Sequence, residues 1–161
     1  MLLVGGSAAS IYFDLQYFRE LFFNPIYHLL TLPLGLFLML LAFRAAAAGG
    51  RELAKKGRVG SSTPRLETDT LVTTGIYAHM RHPMLFGLTL VPMALALMIG
   101  SPFFILILAP LEMVFIIVMV LTLEERECRR KFGSSYDEYA KRVPPLCFKK
   151  ECLSLLFSKK R

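Results

Sequence analysis

The sequence predicts an all-α integral membrane protein with three or four transmembrane or interfacial helices, a helical hairpin toward its C-terminal end and short cytoplasmic helices. Of its 161 residues, 55% are hydrophobic, which exceeds the apolar share of an ordinary soluble domain. Several apolar stretches reach about 20 residues, the length that crosses the hydrocarbon layer of a bilayer. Basic residues concentrate in the polar stretches beside them, as is typical of cytoplasmic flanks.

The N-terminal half predicts two hydrophobic helices and a polar connection. Residues 1–25 predict an interfacial or partly inserted helix, because glycines and the charge of Asp14 interrupt the apolar run. Residues 26–48 predict the first membrane span, whose one charge, Arg44, lies close enough to the basic end to reach the interface. Residues 49–82 carry Gly-Gly, Gly-Ser-Ser and Thr-Pro signals, which predict a cytoplasmic loop and hinge.

Two further spans predict an antiparallel hairpin. Residues 83–100 and 102–123 are each about long enough to cross the bilayer. The Gly-Ser-Pro sequence at 100–102 predicts a tight turn between them. Pro83 suits the first turn of a helix, where its missing N–H is not needed, so His82 is the predicted N-cap.

The hairpin brings residues that lie more than forty positions apart to one cytoplasmic mouth. The acidic pair at 124–125 returns to the membrane face on which Arg81 and His82 precede the second span. The helix N-terminus and the cation favour an anion there. The carboxylates can accept hydrogen bonds from ribose hydroxyls or from an ammonium group. Such a mouth suits a zwitterionic nucleoside cofactor beside a lipid headgroup.

Residues 124–161 predict a cytoplasmic C-terminal segment of short helices. Eleven Lys or Arg residues stand there against six acids, which is typical of a flank that meets anionic lipids. We therefore expect a membrane partner and no nucleic acid. Gly133 predicts the end of one helix, along which Glu125 and Arg129 are spaced to form a pair.

The sequence predicts neither a disulfide framework nor a metal site. Cys128, Cys147 and Cys152 are odd in number and lack a C-x-x-C spacing, so free thiols are expected. His79 and His82 stand three positions apart, but no third ligand is evident beside them.

One ordered set of motifs resembles a known family. Leu-Val-Thr-Thr-Gly-Ile-Tyr at 71–77 and Arg-His-Pro at 81–83 precede the hairpin. Glu-Glu at 124–125, Lys-Phe-Gly-Ser-Ser-Tyr-Asp-Glu-Tyr at 131–139 and then Arg-Val-Pro follow it. This order is similar to that of the isoprenylcysteine carboxyl methyltransferase family of integral membrane methyltransferases, and the resemblance covers roughly residues 71–145.

The resemblance implies S-adenosylmethionine as the methyl donor, bound between the hinge, the hairpin ends and the C-terminal segment. Arg81 matches the position that steers a substrate carboxylate. Glu124 is the second residue expected to act in catalysis, as the group that takes a proton if the acceptor is an amine. The residues at cofactor positions of the family are Leu71, Gly75, Tyr77, His82, Pro83, Glu124, Glu125, Tyr136, Tyr139 and Arg142.

The implied acceptor is a lipid-like or prenylated molecule that enters sideways from the bilayer. A carboxylate is favoured over an amine, because it is already ionised at neutral pH. Two departures argue against a prenylcysteine: Leu85 stands where the family usually has Tyr, and Leu-Thr-Leu at 121–123 stands where eukaryotic members commonly carry an Arg. Two alternatives stay open, a sterol-reductase-like enzyme that uses NADPH and a non-catalytic membrane scaffold of the same fold.

Overall fold

The computed structural model describes residues 2–58 and 68–157, and every regular element within these ranges is helical. This confirms the predicted all-α class. The elements of the first half are α1 (Leu2–Tyr17), α2 (Arg19–Phe22), α3 (Pro25–Lys56) and a 3-10 turn (Gly75–Ala78). Those of the second half are α4 (Pro83–Ile99), α5 (Ala109–Met119), α6 (Glu125–Phe132), α7 (Ser134–Arg142) and α8 (Lys150–Phe157).

Two described helices are long and apolar enough to cross a membrane. The first is α3, with 32 residues and a mean hydropathy of 2.1 in its apolar window. The second is the 29-residue helix Phe104–Phe132, with a mean hydropathy of 2.9, in which the π-helical turns Phe104–Leu108 and Val120–Glu124 flank α5. Large apolar side chains on these helices stay exposed, for example Leu29 at 73%. The chain is a helical membrane protein.

Residues 1–42 and 88–117 form one compact unit, in which the predicted turn between the second and third spans is confirmed. Ala96 of α4 packs with Phe104 and Ala109 in a buried cluster. The chain turns at Gly100, whose φ of +69° is a left-handed conformation that favours glycine. The ring of His28 lies where a Cβ at this position would project.

In the same unit, α1 is a continuous helix despite the glycines and the charge that were expected to interrupt it. Asp14 is fully buried, and its carboxylate accepts hydrogen bonds from the Ser101 hydroxyl and, at 2.8 Å, from the Phe103 N–H. These donors lie at the start of the helix of the third span, where backbone N–H groups have no partner inside the helix. Asp14 therefore caps that helix. The interfacial placement of residues 1–25 stays a prediction.

The described residues of the ranges 43–87 and 118–161 form the second compact unit, and in it α3 is longer than predicted. The Gly-Gly pair after residue 48 was expected to end the first span, but the helix continues to Lys56. A Cβ on Gly49 would lie 2.8 Å from Cγ of Met84 and 3.0 Å from Cγ of Pro83. This glycine serves the close approach of α4 rather than a break in the helix.

The helix of the third span continues beyond residue 123, as the spacing of Glu125 and Arg129 predicted. It runs to Phe132 and stops where predicted, at Gly133, whose φ is +57° and whose N–H donates to the Arg129 carbonyl at 2.9 Å. The α6 helix is therefore an extension of the third span.

The expectation of three free thiols was wrong for two of the cysteines. Cys147 and Cys152 form a disulfide, whereas Cys128 is free. The start of α8 brings their Cα atoms to 6.1 Å, within the span that a disulfide bridges. Spacing in the sequence does not reveal this approach, because it depends on where the helix begins.

Gly35→Ala should destabilise the protein by about 1–3 kcal/mol, because the new Cβ would lie 2.7 Å from the Met98 backbone nitrogen and 2.9 Å from the Ala94 carbonyl oxygen. Gly50→Ala in the same helix is the matched control, since no described atom beyond its own turn of helix lies within 4 Å of its Cβ position. That variant should be neutral or more stable by about 0.5–1 kcal/mol. Denaturant unfolding in detergent micelles measures both, and equal effects would contradict the packing.

Candidate active site

The site is built on the start of α4. The helix begins at Pro83. In its first backbone hydrogen bond, the Phe86 N–H donates to the His82 carbonyl at 2.8 Å. His82 therefore holds the predicted N-cap position. Proline suits the first helical position because its fixed φ is already helical and its missing N–H is not needed.

The two residues before this helix are tied to the C-terminal segment through their backbone. The Arg81 N–H donates to the Pro144 carbonyl at 3.0 Å, and the His82 N–H donates to the Pro145 carbonyl at 3.1 Å. Proline has no N–H to give in return, so each Pro takes part only as an acceptor. The Arg-His-Pro and Val-Pro-Pro stretches, about sixty residues apart, are thereby held together.

The carboxylate of Glu125 joins these segments. Its Oε1 accepts hydrogen bonds from Nε of Arg81 at 3.0 Å and from the Tyr136 hydroxyl at 3.0 Å. A second guanidinium nitrogen of Arg81 and Nε2 of His82 each lie 2.8 Å from the same oxygen. Glu125 is 7% exposed, so this is a buried charge cluster. The predicted approach of the acidic pair to the Arg-His pair is confirmed at Glu125.

The Arg81 guanidinium is also fixed by the end of α7. One of its terminal nitrogens donates to the Ala140 carbonyl at 2.8 Å and to the Val143 carbonyl at 2.9 Å. A cation at the C-terminal end of a helix bonds carbonyls that lack a partner inside the helix and offsets the negative end of the dipole. These bonds already use much of the donor capacity of Arg81. That Arg81 steers a substrate carboxylate stays a prediction.

The pairing of Glu125 with Arg129, expected from their spacing, was wrong. Arg129 instead lies 3.3 Å from Asp137 of α7, in an ion pair whose two side chains are more than half exposed. Glu125 points to the buried side of α6, because Arg81 supplies the charge that a buried carboxylate needs and His82 is a hydrogen-bond partner there.

A cavity of about 310 Å³ opens beside the charge cluster. This volume lies at the lower end of the range of small-molecule sites. Seven residues predicted for the site line it: Leu71, Tyr77, Arg81, His82, Glu124, Tyr136 and Tyr139. Eight further lining residues were not predicted: Leu53, Thr68, Thr70, Val72, Met84, Leu85, Cys128 and Phe132.

Four predicted site residues do not line this cavity within the part of the chain that the structure describes. Glu125 lies behind it in the charge cluster, and Pro83 packs toward Gly49 at the helix start. Gly75 forms the hinge turn with a φ of +62°. Arg142 is exposed and turns back to its own helix, where Nε lies 3.4 Å from the Glu138 carbonyl oxygen. The cofactor position that the resemblance implies for Arg142 stays a prediction.

Glu124 differs from its neighbour in having an open carboxylate. It is half-buried and faces the cavity, and no described residue gives it a hydrogen bond or an ion pair. The π-helical turn Val120–Glu124 changes the helical register just before the acidic pair. A carboxylate that is ionised only accepts hydrogen bonds, so Glu124 suits an ammonium group or a pair of hydroxyls.

Three tyrosines in the site keep their protons. Burial, with smaller contributions from Cys128 and Glu52, raises the pKa of Tyr77 to about 12. Burial likewise raises the pKa of Tyr136 and of Tyr139 well above the ordinary value. The Tyr139 hydroxyl donates to the Tyr77 carbonyl at 2.5 Å. These phenols therefore act as hydrogen-bond donors, and they are poor bases at neutral pH.

The end of α3 contacts the hinge, and the sequence did not predict this contact. Nζ of Lys56 lies 3.3 Å from the Glu52 carboxylate and donates to the Thr74 hydroxyl at 2.7 Å. The same carboxylate packs against Gly75, where a Cβ would approach its carbon to 2.5 Å. The spacing of Glu52 and Lys56 could have indicated their mutual pairing. That spacing does not indicate that the pair contacts the hinge.

The two imidazoles of the hinge have different surroundings. His82 is buried on Glu125, whereas His79 is exposed and its backbone N–H bonds the Ile76 carbonyl at 3.1 Å. Within residues 2–58 and 68–157, no group of three or more His, Cys, Asp or Glu is arranged to hold a metal ion.

The fold and this cavity define a helical membrane protein with a polar site at the ends of apolar helices. A family model described as phospholipid methyltransferase matches residues 30–135, well over half of the chain. The chain belongs to the phospholipid methyltransferase family, one of the membrane methyltransferase families similar to isoprenylcysteine carboxyl methyltransferase. It is a membrane methyltransferase, which disfavours the reductase and the scaffold. No curated protein and no solved structure matches the chain significantly.

Glu125→Gln should lower the free energy of unfolding by about 3 kcal/mol or more, because it leaves the buried Arg81 guanidinium without its counter-charge. Asp137→Asn is the matched control in the exposed ion pair with Arg129, and it should change stability by less than about 1 kcal/mol. Denaturant titration in detergent compares the two variants. A similar small loss in both would mean that the buried cluster does not hold the site together.

Proposed function

We propose that this membrane methyltransferase uses S-adenosylmethionine as methyl donor and acts on a hydrophobic or lipid-linked acceptor. The observation that carries the proposal is the carboxylate of Glu124, which has no partner among the described residues and lines a cavity that also offers apolar surface and phenol donors. The basic flanks of the apolar helices favour a site that faces the cytoplasm. An acceptor embedded in the bilayer would then enter sideways, between helices.

The donor set of the cavity fits this cofactor. When bound, the cofactor supplies a methyl group activated on a sulfonium centre. Glu124 offers acceptors for its ammonium group or its ribose hydroxyls. Leu71, Val72 and Phe132 offer apolar surface to the adenine ring, and the Tyr77 phenol is a donor held in its protonated form.

Most of the rate enhancement would come from orientation and from exclusion of water. The residues that orient are those of the Glu125 cluster, because they hold α4, α6 and α7 at fixed distances around the cavity. The buried tyrosines and the apolar wall keep water out. An ionised carboxylate acceptor needs no base, whereas an amine acceptor must lose a proton first.

A second acceptor class, an amine, is favoured by the engagement of Arg81. The guanidinium bonds Glu125 and two carbonyls, which leaves it little capacity to hold a substrate carboxylate. Glu124, in contrast, has no partner among the described residues and lines the cavity. It can attract a cationic headgroup and accept the proton that an ammonium group must release.

Glu124→Gln should weaken the binding of S-adenosylhomocysteine about tenfold to a hundredfold, the effect of losing a hydrogen bond to a charged group. The free energy of unfolding should change by less than about 0.5 kcal/mol, because no described residue depends on this carboxylate. Glu127→Gln, an exposed acid on the same helix, is the control and should bind normally. Calorimetry in detergent measures the affinities. Unchanged affinity in Glu124→Gln would contradict the assignment.

With isotope-labelled S-adenosylmethionine, a lipid that bears a primary amine should be labelled faster than a matched lipid that bears a free carboxylate. Glu124→Gln should slow the amine reaction more than the carboxylate reaction, and the loss should be smaller at high pH, where the amine is already deprotonated. Labelling of the carboxylate lipid alone would contradict the amine acceptor and support the carboxylate acceptor that was expected from the sequence.

A further inference from the structure

The C-terminal residues 143–157, here named the C-terminal strap, lie against the site. At its beginning, the carbonyls of Pro144 and Pro145 accept the backbone N–H groups of Arg81 and His82. In its middle, the Phe148 ring packs on a ring in the first turn of α4, with centroids 5.2 Å apart. The strap therefore contacts the start of α4 twice, at the N-cap through its backbone and in the first turn through a side chain.

The far end of the strap is the short helix α8. Leu156 is buried, and the guanidinium carbon of Arg44 lies 4.9 Å from the centroid of the Phe157 ring. The helix also contacts the Gly75–Ala78 turn, which carries Tyr77 of the cavity. A displacement of α8 would thus reach the wall of the site.

The disulfide between Cys147 and Cys152 ties the middle of the strap to the first turn of α8. Each cysteine is 5% exposed, while the chain between them is exposed at residues 148–151. Helix α8 has only eight residues, too few to be stable in water by its own backbone bonds. Its position depends on side-chain packing and on this cross-link. The disulfide is the one covalent tie in the described part of the strap.

We propose that Cys147–Cys152 is a reversible thiol–disulfide site that controls how firmly the C-terminal strap closes on the α4 N-cap. The reacting partner is a small dithiol or a glutathione-type thiol. A further consequence is that reduction weakens cofactor binding, and this part rests on the proposed function. The closure itself is a property of the strap and stands independently of the cofactor.

The exchange is a two-electron reduction that proceeds in two displacements. A reductant thiolate attacks one cysteine sulfur, forms a mixed disulfide and breaks the Cys147–Cys152 bond, which releases the other sulfur as a thiolate. A second reductant thiol then displaces the first cysteine, and the reductant leaves as its own disulfide. The cysteine pair gains two electrons and two protons. Because both sulfurs are buried, the attack requires a local opening of the strap.

Opening of the strap and cofactor binding should be thermodynamically linked, with the same coupling free energy in both directions. If reduction lowers the affinity for a ligand by some factor, the bound ligand must oppose reduction by the same factor. Couplings between sites in proteins commonly amount to about 5- to 150-fold, and we expect about tenfold here.

The first test concerns the bond and the strap and needs no cofactor. Protein purified in detergent without reductant is denatured and alkylated with N-ethylmaleimide, then weighed by mass spectrometry. One cysteine should react before reduction, and all three of the chain should react after it. Hydrogen exchange at residues 148–157 should rise about tenfold or more on reduction, whereas exchange in α3 should not change. Three reactive cysteines before reduction, or unchanged exchange in the strap, would overturn the proposal.

The second test measures S-adenosylhomocysteine affinity with and without dithiothreitol. Reduction should weaken binding about tenfold. The Cys147→Ser/Cys152→Ser variant should bind like the reduced protein and should not respond to dithiothreitol. A response in this variant would place the effect at Cys128 and overturn the assignment. Equal affinity in the oxidised and reduced protein would refute the coupling. Absence of binding in both forms would count against the proposed function, while the exchange experiment still decides the closure.

Discussion

The burial of one negative charge organises the described site. A buried carboxylate without partners would cost several kcal/mol, so Glu125 can lie inside only if positive charge and hydrogen-bond donors meet it there. Arg81, His82 and Tyr136 meet this need from the hinge and from α7. Since these residues are far apart in the sequence, satisfying the charge also fixes where the segments stand. The cavity is the space that this arrangement leaves beside α4.

The two adjacent acids have divided roles. Glu125 faces the buried charge cluster, whereas Glu124 faces the cavity and has no hydrogen bond or ion pair with a described residue. A sequence motif of two acids does not distinguish them, because the difference arises from the helical rotation and from the π-helical turn that precedes the pair. A similar division holds at Arg81, which lines the cavity but already bonds the end of α7. Its engagement weakens the case for a carboxylate acceptor.

The parts of the fold that were predictable are those with a local cause. The turn at Gly100, the stop at Gly133 and the helix start at Pro83 follow from the backbone preferences of glycine and proline. The exposed apolar helices follow from hydropathy. Errors occurred where a local signal has two meanings: Gly49 was interpreted as a break, but it permits the close approach of α4.

The amino-acid sequence was enough to predict the all-α membrane class, the helix start at the Arg-His-Pro motif and about half of the residues that line the cavity. These follow from side-chain hydrophobicity and from conformational preferences that act within a few residues. Three features required the packed structure: which of the two acids is buried, that Arg142 does not line the cavity and that Cys147 meets Cys152. Each of these depends on the distance between segments brought together by packing, which no spacing along the chain specifies.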